Sequence, residues 1–176
     1  LSISPEDVTD RSRPLASLNF ANCAVELLAN SSAEAAEKVL NTALILLAAD
    51  SFGGASRAID MAVDYAKTRE QFGQIIGKFQ ALKHQLANMA VDVEPMHGLY
   101  WHAAYAFDKS RQAALAKAHL CERYLHVARE AVQAHGGIGY TWECDIQVFL
   151  KRALFNNAYM GAPALHRKRA ADLAAW

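Results

Sequence analysis

The sequence of 176 residues lacks an excess of charge of either sign, because 18 lysines and arginines balance 18 aspartates and glutamates. A chain without net charge has no electrostatic reason to seek nucleic acid or an anionic membrane, so neither is expected as a partner. Any anion that it binds must instead be held by a few placed groups. Hydrophobic residues make up 53% of the sequence, which excludes a disordered chain.

Cysteine is scarce, with residues only at Cys23, Cys121 and Cys144. Their odd number and wide spacing give neither a disulfide framework nor a zinc pattern, and a reduced, cytoplasmic compartment is the simplest interpretation. The seven histidines form no H-E-x-x-H motif and no cluster with cysteine, so no metal site is predicted. Apolar runs stay far below the roughly 20 residues that cross a bilayer, and no signal peptide is visible.

Several catalytic motifs are missing as well. The sequence has no nucleophile elbow, no P-loop and no G-x-G-x-x-G fingerprint. The glycine-rich segment 136–139 follows a predicted helix rather than a strand, which argues against a dinucleotide-binding fold.

The strand signal is confined to about the first 30 residues. Residues 14–20 alternate apolar and polar side chains, as a half-buried strand does, and residues 24–28 form a second short apolar run. A lone pair of strands is marginally stable in water, so both runs are expected to belong to a sheet whose other strands lie outside this sequence.

The rest of the sequence shows helical periodicity. Predicted helices run over residues 31–69, 79–109, 112–134, 145–157 and 163–175. Long antiparallel helices of this kind make a bundle. The predicted fold class is therefore all-α, an antiparallel helix bundle preceded by a short β remnant.

Local signals mark where these helices begin and bend. Ser31 and Glu34 have the spacing of a capping box and predict the start of the first helix. Pro95 should kink the second helix, because proline removes one backbone hydrogen bond and clashes with the preceding turn. Gly53 and Gly54 each cost about 1 kcal/mol inside the first helix relative to alanine, for which close packing of a neighbouring helix would compensate.

Two segments stand out from the helical pattern, one around Arg69 and Phe72 and the other over residues 133–140. A guanidinium at a helix end suits a phosphate, and Phe72 offers a flat apolar face. The glycines of the second segment let a ligand approach bare backbone N–H groups. Together the two segments suit a phosphorylated aromatic ligand. The alternative interpretation is a helix end with a basic last turn and a glycine cap.

The same segments resemble two signatures of the acyl-CoA dehydrogenase family. Tyr65-Ala66-x-x-Arg69-x-Gln71-Phe72-Gly73, followed by Gln80, is similar to the first signature. Gln133-x-x-Gly136-Gly137-x-Gly139-Tyr140 is similar to the second, about sixty residues later, as in the family. The resemblance implies that residues 31–176 are the family's C-terminal helical domain. It also implies that residues 1–30 are the tail of its middle β-domain.

The resemblance implies a function in lipid metabolism and a cofactor, FAD. In this family the C-terminal bundle forms a tetramer core and reaches across a subunit interface to a neighbour's FAD. The cofactor-binding residues carried over from the signatures are Arg69, Gln71, Phe72, Gln80, Gln133, Gly136 and Gly137. Gln71 stands where the family often has a small polar residue. The implied substrate is an acyl-CoA, and the implied electron acceptor is an electron-transfer flavoprotein.

The catalytic base of the family is missing from both of its usual positions. A carboxylate removes the α-proton of the thioester, and it usually lies in a Y-E-G-T-like turn before the last helix. This sequence has Met160 in place of that glutamate, within Tyr159-Met160-Gly161-Ala162. The alternative position in some relatives corresponds to Ala43, and the neighbouring arginine corresponds to Leu44. The family's Arg-Asp pair before the turn is Lys151-Arg152 here.

Three hypotheses about function follow. The first is a subunit without the base that pairs with a like or unlike subunit, as in heteromeric actinobacterial acyl-CoA dehydrogenases, which the sequence resembles. The second is a self-sufficient dehydrogenase with a relocated base, for which Glu143 and Asp145 are the nearby carboxylates in sequence. The third is a helical interaction module in which both signatures serve only packing.

Overall fold

The computed structural model describes residues 1–29 and 31–174. Within them the chain forms a helix bundle, which confirms the predicted fold class. The helices are α1 (Ala33–Thr68), α2 (Gln80–Val93), α3 (Met96–Tyr105), α4 (Ser110–His135), α5 (Ile146–Ala158) and α6 (Pro163–Asp172).

The core of the bundle is the contact between α1 and α4. Small side chains on α1, including the fully buried Ala55, Ala58 and Ala62, let the two helices pack closely against Leu120 and Ala128 of α4. Burial of apolar surface of this kind stabilises the fold by about 25 cal/mol per Å².

The two core helices run in the same direction. Asn41, near the start of α1, donates a hydrogen bond of 2.9 Å from Nδ2 to Oγ of Ser110, the first residue of α4. At the other end, the ring of Tyr65 stacks on the imidazole of His135, with ring centroids 4.6 Å apart. The helices α2 and α3, which lie between them in sequence, return the chain to the end of the bundle where α1 begins. The C-terminal ends of α1 and α4, at Tyr65 and His135, therefore meet at the other end.

One helix, α1, is long and apolar enough by length and composition to cross a membrane. A core helix of a bundle has the same properties. The apolar side chains of α1 that are buried, such as Leu44 and Ala48, belong to the bundle core.

The predicted helix over residues 79–109 is two helices rather than one kinked helix. Proline removes a backbone donor and clashes with the carbonyl four residues before it. At Pro95 the helix is interrupted: α2 ends at Val93, and α3 starts at Met96 with Pro95 as its N-cap, although Glu94 and Pro95 keep right-handed helical backbone angles.

The start of α1 also differs from the prediction by one residue. Ser32, not Ser31, is the N-cap, and its Oγ accepts a hydrogen bond of 3.0 Å from the backbone N–H of Ala35. The predicted capping box between Ser31 and Glu34 is therefore wrong. Glu34 instead forms an ion pair of 2.8 Å with Lys38.

The first 29 residues contain a β-hairpin in which β1 (Ser2–Glu6) pairs antiparallel with β2 (Leu15–Asn19). The strand predicted over residues 14–20 is confirmed. The strand predicted over residues 24–28 is wrong, because this run has no regular structure and Val25 and Leu27 are exposed. A two-residue ladder, β3 (Glu70–Gln71) with β4 (Gln74–Ile75), follows α1, so the strands are not confined to the first 30 residues as predicted. The assignment of residues 1–30 to a middle β-domain stays a prediction.

Candidate functional site

The parallel direction of α1 and α4 brings the two signature segments to the same end of the bundle. Tyr65 belongs to the first signature and His135 directly precedes the glycine pair of the second, so their stacked rings join the segments. The Nδ1–H of His135 donates to the carbonyl of Ala131 at 2.7 Å, which fixes the plane of the imidazole. The sequence shows the two segments but not that they meet.

Arg69 is the C-cap of α1. Its backbone N–H donates to the carbonyl of Tyr65 at 2.9 Å, and its own carbonyl accepts from the N–H of Ile76 at 2.8 Å. These bonds close the segment between them into a tight turn. The Arg69 side chain is exposed, and its guanidinium forms no ion pair with any carboxylate in the described part of the chain. The guanidinium is therefore available to an anion from outside.

Phe72 occupies an unfavourable backbone conformation on this turn, with a φ of 53°. A residue other than glycine in the left-handed region costs roughly 1–2 kcal/mol. The ring is 91% exposed and makes an edge contact with Phe79 at 6.1 Å. Its neighbour Gln71 is also exposed, and its amide donates to the carbonyl of Glu70 at 2.9 Å. An exposed aromatic ring on a strained turn indicates a binding surface more than a packing role.

The second segment presents backbone as well as side chains. Gly136 is the C-cap of α4, with a φ of 66°, and its N–H bonds to the carbonyl of Gln133. A Cβ at Gly136 or Gly137 would meet nothing within 4 Å, so packing inside the described chain does not require glycine there. The Gln133 side chain is exposed, as is that of Gln80, the first residue of α2.

Together these groups suit a nucleotide that carries phosphates. The turn offers a guanidinium and a flat ring, two glutamines offer amide groups, and the glycine pair leaves open space for close approach to the backbone. The residues present therefore fit the nucleotide part of FAD. No set of three His, Cys, Asp or Glu side chains in residues 1–29 and 31–174 is placed to hold a metal ion.

The turn between α5 and α6 is the second notable feature. Met160 has a φ of 58° and Gly161 a φ of 106°, so two successive residues have left-handed backbone. Met160 is 37% exposed. Its backbone N–H has no acceptor among the described residues, whereas the N–H groups of Tyr159 and Gly161 both bond back to α5. The free N–H can therefore donate to a ligand.

Two buried side chains that the sequence did not single out hold this turn in place. The Nζ of Lys117 donates to the carbonyls of Asn156 at 2.6 Å and Gly161 at 3.1 Å. From α6, the Nε2–H of His166 donates to the carbonyl of Met160 at 2.9 Å. Burial lowers the pKa of both Lys117 and His166. The signal for this role in the sequence is the position of Lys117 inside an apolar stretch of α4.

The assignment of Met160 and Ala43 to the two base positions of the family stays a prediction, and neither residue has a carboxylate. Leu40, three residues before Ala43 on α1, lines a cavity of about 450 Å³ together with Met160. Ala43 is half-buried, and Leu44 is fully buried in the core. The carboxylate that lines this cavity is Asp172, which is mostly exposed and paired with Lys168 at 2.7 Å. A base for α-proton removal needs desolvation, which this carboxylate lacks.

The carboxylates proposed as a relocated base lie elsewhere. Asp145 is the N-cap of α5, whereas Met160 follows the C-terminus of the same helix. Thirteen helical residues separate them, which corresponds to about 20 Å. Glu143 is exposed and precedes Asp145. Neither carboxylate is at the Met160 turn.

Comparison with known proteins identifies the family. A model of the acyl-CoA dehydrogenase C-terminal domain matches residues 14–174. The chain therefore belongs to the acyl-CoA dehydrogenase family, whose members are FAD flavoproteins.

Individual relatives agree with this assignment. Acyl-CoA dehydrogenase IpdE2 of Mycolicibacterium smegmatis is 44% identical over 129 residues, which cover 73% of this chain and 41% of that protein. A chain in a structure of the electron transferring flavoprotein of Acidaminococcus fermentans superposes with a TM-score of 0.91 and 31% identity, over 99% of this chain and 49% of that one. A Tcur3481-Tcur3483 steroid ACAD variant gives a TM-score of 0.87 and 28% identity, over 99% and 48%. The chain thus spans less than half of each.

Proposed function

We propose that this chain is the C-terminal domain of an FAD-dependent acyl-CoA dehydrogenase subunit that does not itself remove the α-proton of the substrate. The observation that carries the proposal is the turn at Met160. A thioether cannot accept a proton at neutral pH, and the second family position, Ala43, has no titratable group. The backbone of the turn is nevertheless kept in a defined conformation by Lys117 and His166.

The subunit retains binding functions in this proposal. Arg69 contacts the pyrophosphate of an FAD bound to a neighbouring subunit, Phe72 packs on its adenine side, and the backbone approaches it at Gly136 and Gly137. Gln71, Gln80 and Gln133 supply amide contacts around it. The exposure of all these groups at one end of the bundle supports this arrangement.

The reaction proposed for the assembled protein is α,β-dehydrogenation of an acyl-CoA thioester. When bound, FAD supplies the hydride acceptor. The free N–H of Met160 donates to the thioester carbonyl, which stabilises negative charge that develops on its oxygen. The α-proton leaves to a carboxylate that a partner subunit provides. The proposed assembly is a tetramer of like or unlike subunits in the cytoplasm, with an electron-transfer flavoprotein as acceptor.

The experiment follows flavin bleaching in the full-length protein, loaded with FAD and mixed with acyl-CoAs of several chain lengths. The protein is assayed alone, with its candidate partner subunit, and as Met160→Glu. We expect bleaching only with the partner present, and loss of bleaching when the partner's own base is removed. Met160→Glu alone should restore little activity, because Leu44 and Ala162 also differ from the family pattern.

Fast bleaching by the unmodified protein on its own would contradict the proposal and require a base elsewhere in the full-length chain. A third outcome concerns the interaction-module hypothesis. If the complex with the partner binds as much FAD with Arg69→Ala as with the wild-type chain, the signature segments have only a packing role.

A further inference from the structure

A second cavity lies in the groove between α1 and α5, and Met160 is not among its lining residues. Its volume is about 440 Å³, which is in the range of small-molecule sites. Its lining includes Asp50 and Gly54 of α1, Tyr124 of α4, and Phe149 and Arg152 of α5. None of these residues belongs to the signature segments.

Tyr124 is the unusual member of this lining. Its side chain is fully buried, and its hydroxyl has no hydrogen-bond partner among the residues that the structure describes. Burying a hydroxyl without a partner costs roughly 1–3 kcal/mol. The phenol reaches this position only because residue 54 is a glycine, since a Cβ there would lie 2.3 Å from Cζ and 2.4 Å from the hydroxyl oxygen of Tyr124. A helical glycine adds its own cost of about 1 kcal/mol.

The charged groups of the cavity, in contrast, are all paired. Asp50 accepts hydrogen bonds from Arg13 at 3.0 Å, Arg152 at 3.2 Å and Asn156 at 2.7 Å. Arg152 also forms an ion pair with Asp10. Two carboxylates thus face two guanidiniums, and no net charge remains for an ionic ligand. The group left to bind something is the neutral phenol.

The phenol acts as a donor. Burial and the nearby carboxylate of Asp50 raise the pKa of Tyr124 above its ordinary value, so the hydroxyl keeps its proton. A protonated phenol can donate to a ketone or hydroxyl oxygen, and the paired charges of the cavity leave no net positive charge that would favour an anion. Phe149 and the bare backbone of Gly54 supply an apolar lining for the carbon atoms that carry this oxygen.

The cavity also lies on the same face of α1 as Ala43. Ala43, Leu47, Asp50 and Gly54 follow one another at helical spacings of four, three and four residues. At 1.5 Å per residue, the cavity is about 10–17 Å along the helix from Ala43. This distance suits the far end of a long acyl group whose reacting carbons lie near Ala43 and Met160.

We propose that this cavity binds the distal part of the acyl group and selects acyl groups that carry a neutral oxygen there, with the hydroxyl of Tyr124 as donor. This inference rests on the proposed function, because it takes an acyl-CoA as the ligand. It adds a chemical class of substrate, an acyl group with a ketone or hydroxyl far from the thioester.

The test compares two α,β-unsaturated acyl-CoAs, which undergo no further dehydrogenation. One is dodecenoyl-CoA, and the other has the same carbon chain with a methyl-ketone terminus. Their affinities for the full-length protein, assembled with FAD and its partner subunit, are measured by calorimetry. We expect the ketone to bind about three- to tenfold more tightly, the value of one buried neutral hydrogen bond.

Tyr124→Phe should abolish this preference, because the ring remains while its donor is lost. Tyr105→Phe is the matched control, since Tyr105 is 91% exposed on α3, and it should keep the preference. Equal affinities for both ligands in the wild-type protein would overturn the inference and leave the proposed function intact. A Tyr124→Phe protein that still binds the ketone more tightly would also overturn it. Failure of both ligands to bind would contradict the proposed function itself.

Discussion

The stacked rings of Tyr65 and His135 join the ends of two helices that begin 77 residues apart in the sequence, at Ala33 and Ser110. Arg69 lies one turn after Tyr65, and Gly136 directly follows His135. The relative position of the two segments therefore depends on a contact between residues that, in our proposal, do not touch the cofactor.

A substitution at Tyr65 should for this reason weaken FAD binding indirectly. A stacked pair contributes about 0.5–1.5 kcal/mol, so Tyr65→Leu should reduce FAD affinity roughly two- to tenfold in the assembled protein. Tyr65→Phe keeps the ring and serves as the control. Fluorescence titration of the apoprotein with FAD measures both. Equal losses in the two variants would show that the stacking does not position the segments.

Arg69 should have a larger and direct effect. A hydrogen bond to a charged group contributes about 1.5–3 kcal/mol, so Arg69→Ala should weaken FAD retention on the order of tenfold or more. Arg57, exposed on the middle of α1, provides the control substitution Arg57→Ala. The flavin-to-protein ratio after gel filtration reports the result. Unchanged flavin content in Arg69→Ala would exclude the proposed contact.

The adjacent glycines of α1 should respond in opposite ways to the same substitution. Gly54→Ala places a methyl group 2.3 Å from the ring of Tyr124 and should destabilise the protein by about 1–3 kcal/mol. Gly53→Ala meets nothing within 4 Å and should stabilise it by about 1 kcal/mol through helix propensity. Urea unfolding distinguishes them, and a double variant with Tyr124→Leu should recover part of the loss at residue 54. Loss of stability in both single variants would contradict this account.

The helices of this fold could be predicted from sequence because their apolar side chains recur at short range. The first residue of a helix was harder to predict where two neighbouring side chains can both serve as N-cap, as Ser31 and Ser32 can for α1. The run over residues 24–28 is apolar enough for a strand, yet a strand also needs a partner, and the hairpin uses Ser2–Glu6 instead.

The candidate site was likewise predictable from sequence only in part. Arg69 and Gly136 are recognisable because helix ends have local signals. The pairing of Asp50 with Arg152 joins residues 102 positions apart and gives the guanidinium a carboxylate partner. No local sequence pattern predicts that ion pair. The hydrogen bonds from Lys117 to backbone carbonyls are equally invisible in the sequence.

The ion pair between Asp10 and Arg152 should make stability depend on pH. Burial raises the pKa of Asp10, but hydrogen bonds from Ser12 and Arg152 outweigh this effect and hold the pKa below its ordinary value of 3.8. The unfolded chain then binds the proton more readily, so this stabilisation is present above pH 3.8 and is lost as the pH falls through the lower folded pKa. Asp10→Asn should remove that part of the pH dependence in urea midpoints, whereas Asp64→Asn, exposed on α1, should not. Parallel wild-type and Asp10→Asn profiles would contradict this assignment.

Lys117 provides the most direct test of how the Met160 turn is held. Its ammonium group is buried and donates to carbonyls at the C-terminus of α5 and in the turn itself, at Asn156 and Gly161. Lys117→Met keeps an unbranched side chain that is one atom shorter and leaves these carbonyls without their donor, at a cost of about 1.5–3 kcal/mol for the lost charged hydrogen bonds. The unfolding free energy should fall by about that amount.

The same change should also weaken ligand binding, because the N–H of Met160 would no longer be fixed in its exposed orientation. Lys109→Met is the control, since Lys109 is 68% exposed and its ion pair with Asp108 is a surface pair of small value. The affinity of the assembled, FAD-loaded protein for an enoyl-CoA product, measured well below the unfolding temperature, separates positioning from stability. Lys117→Met should lower this affinity while the FAD content stays constant. Lower stability with unchanged affinity would show that Lys117 supports the fold alone and that the turn does not contact the thioester.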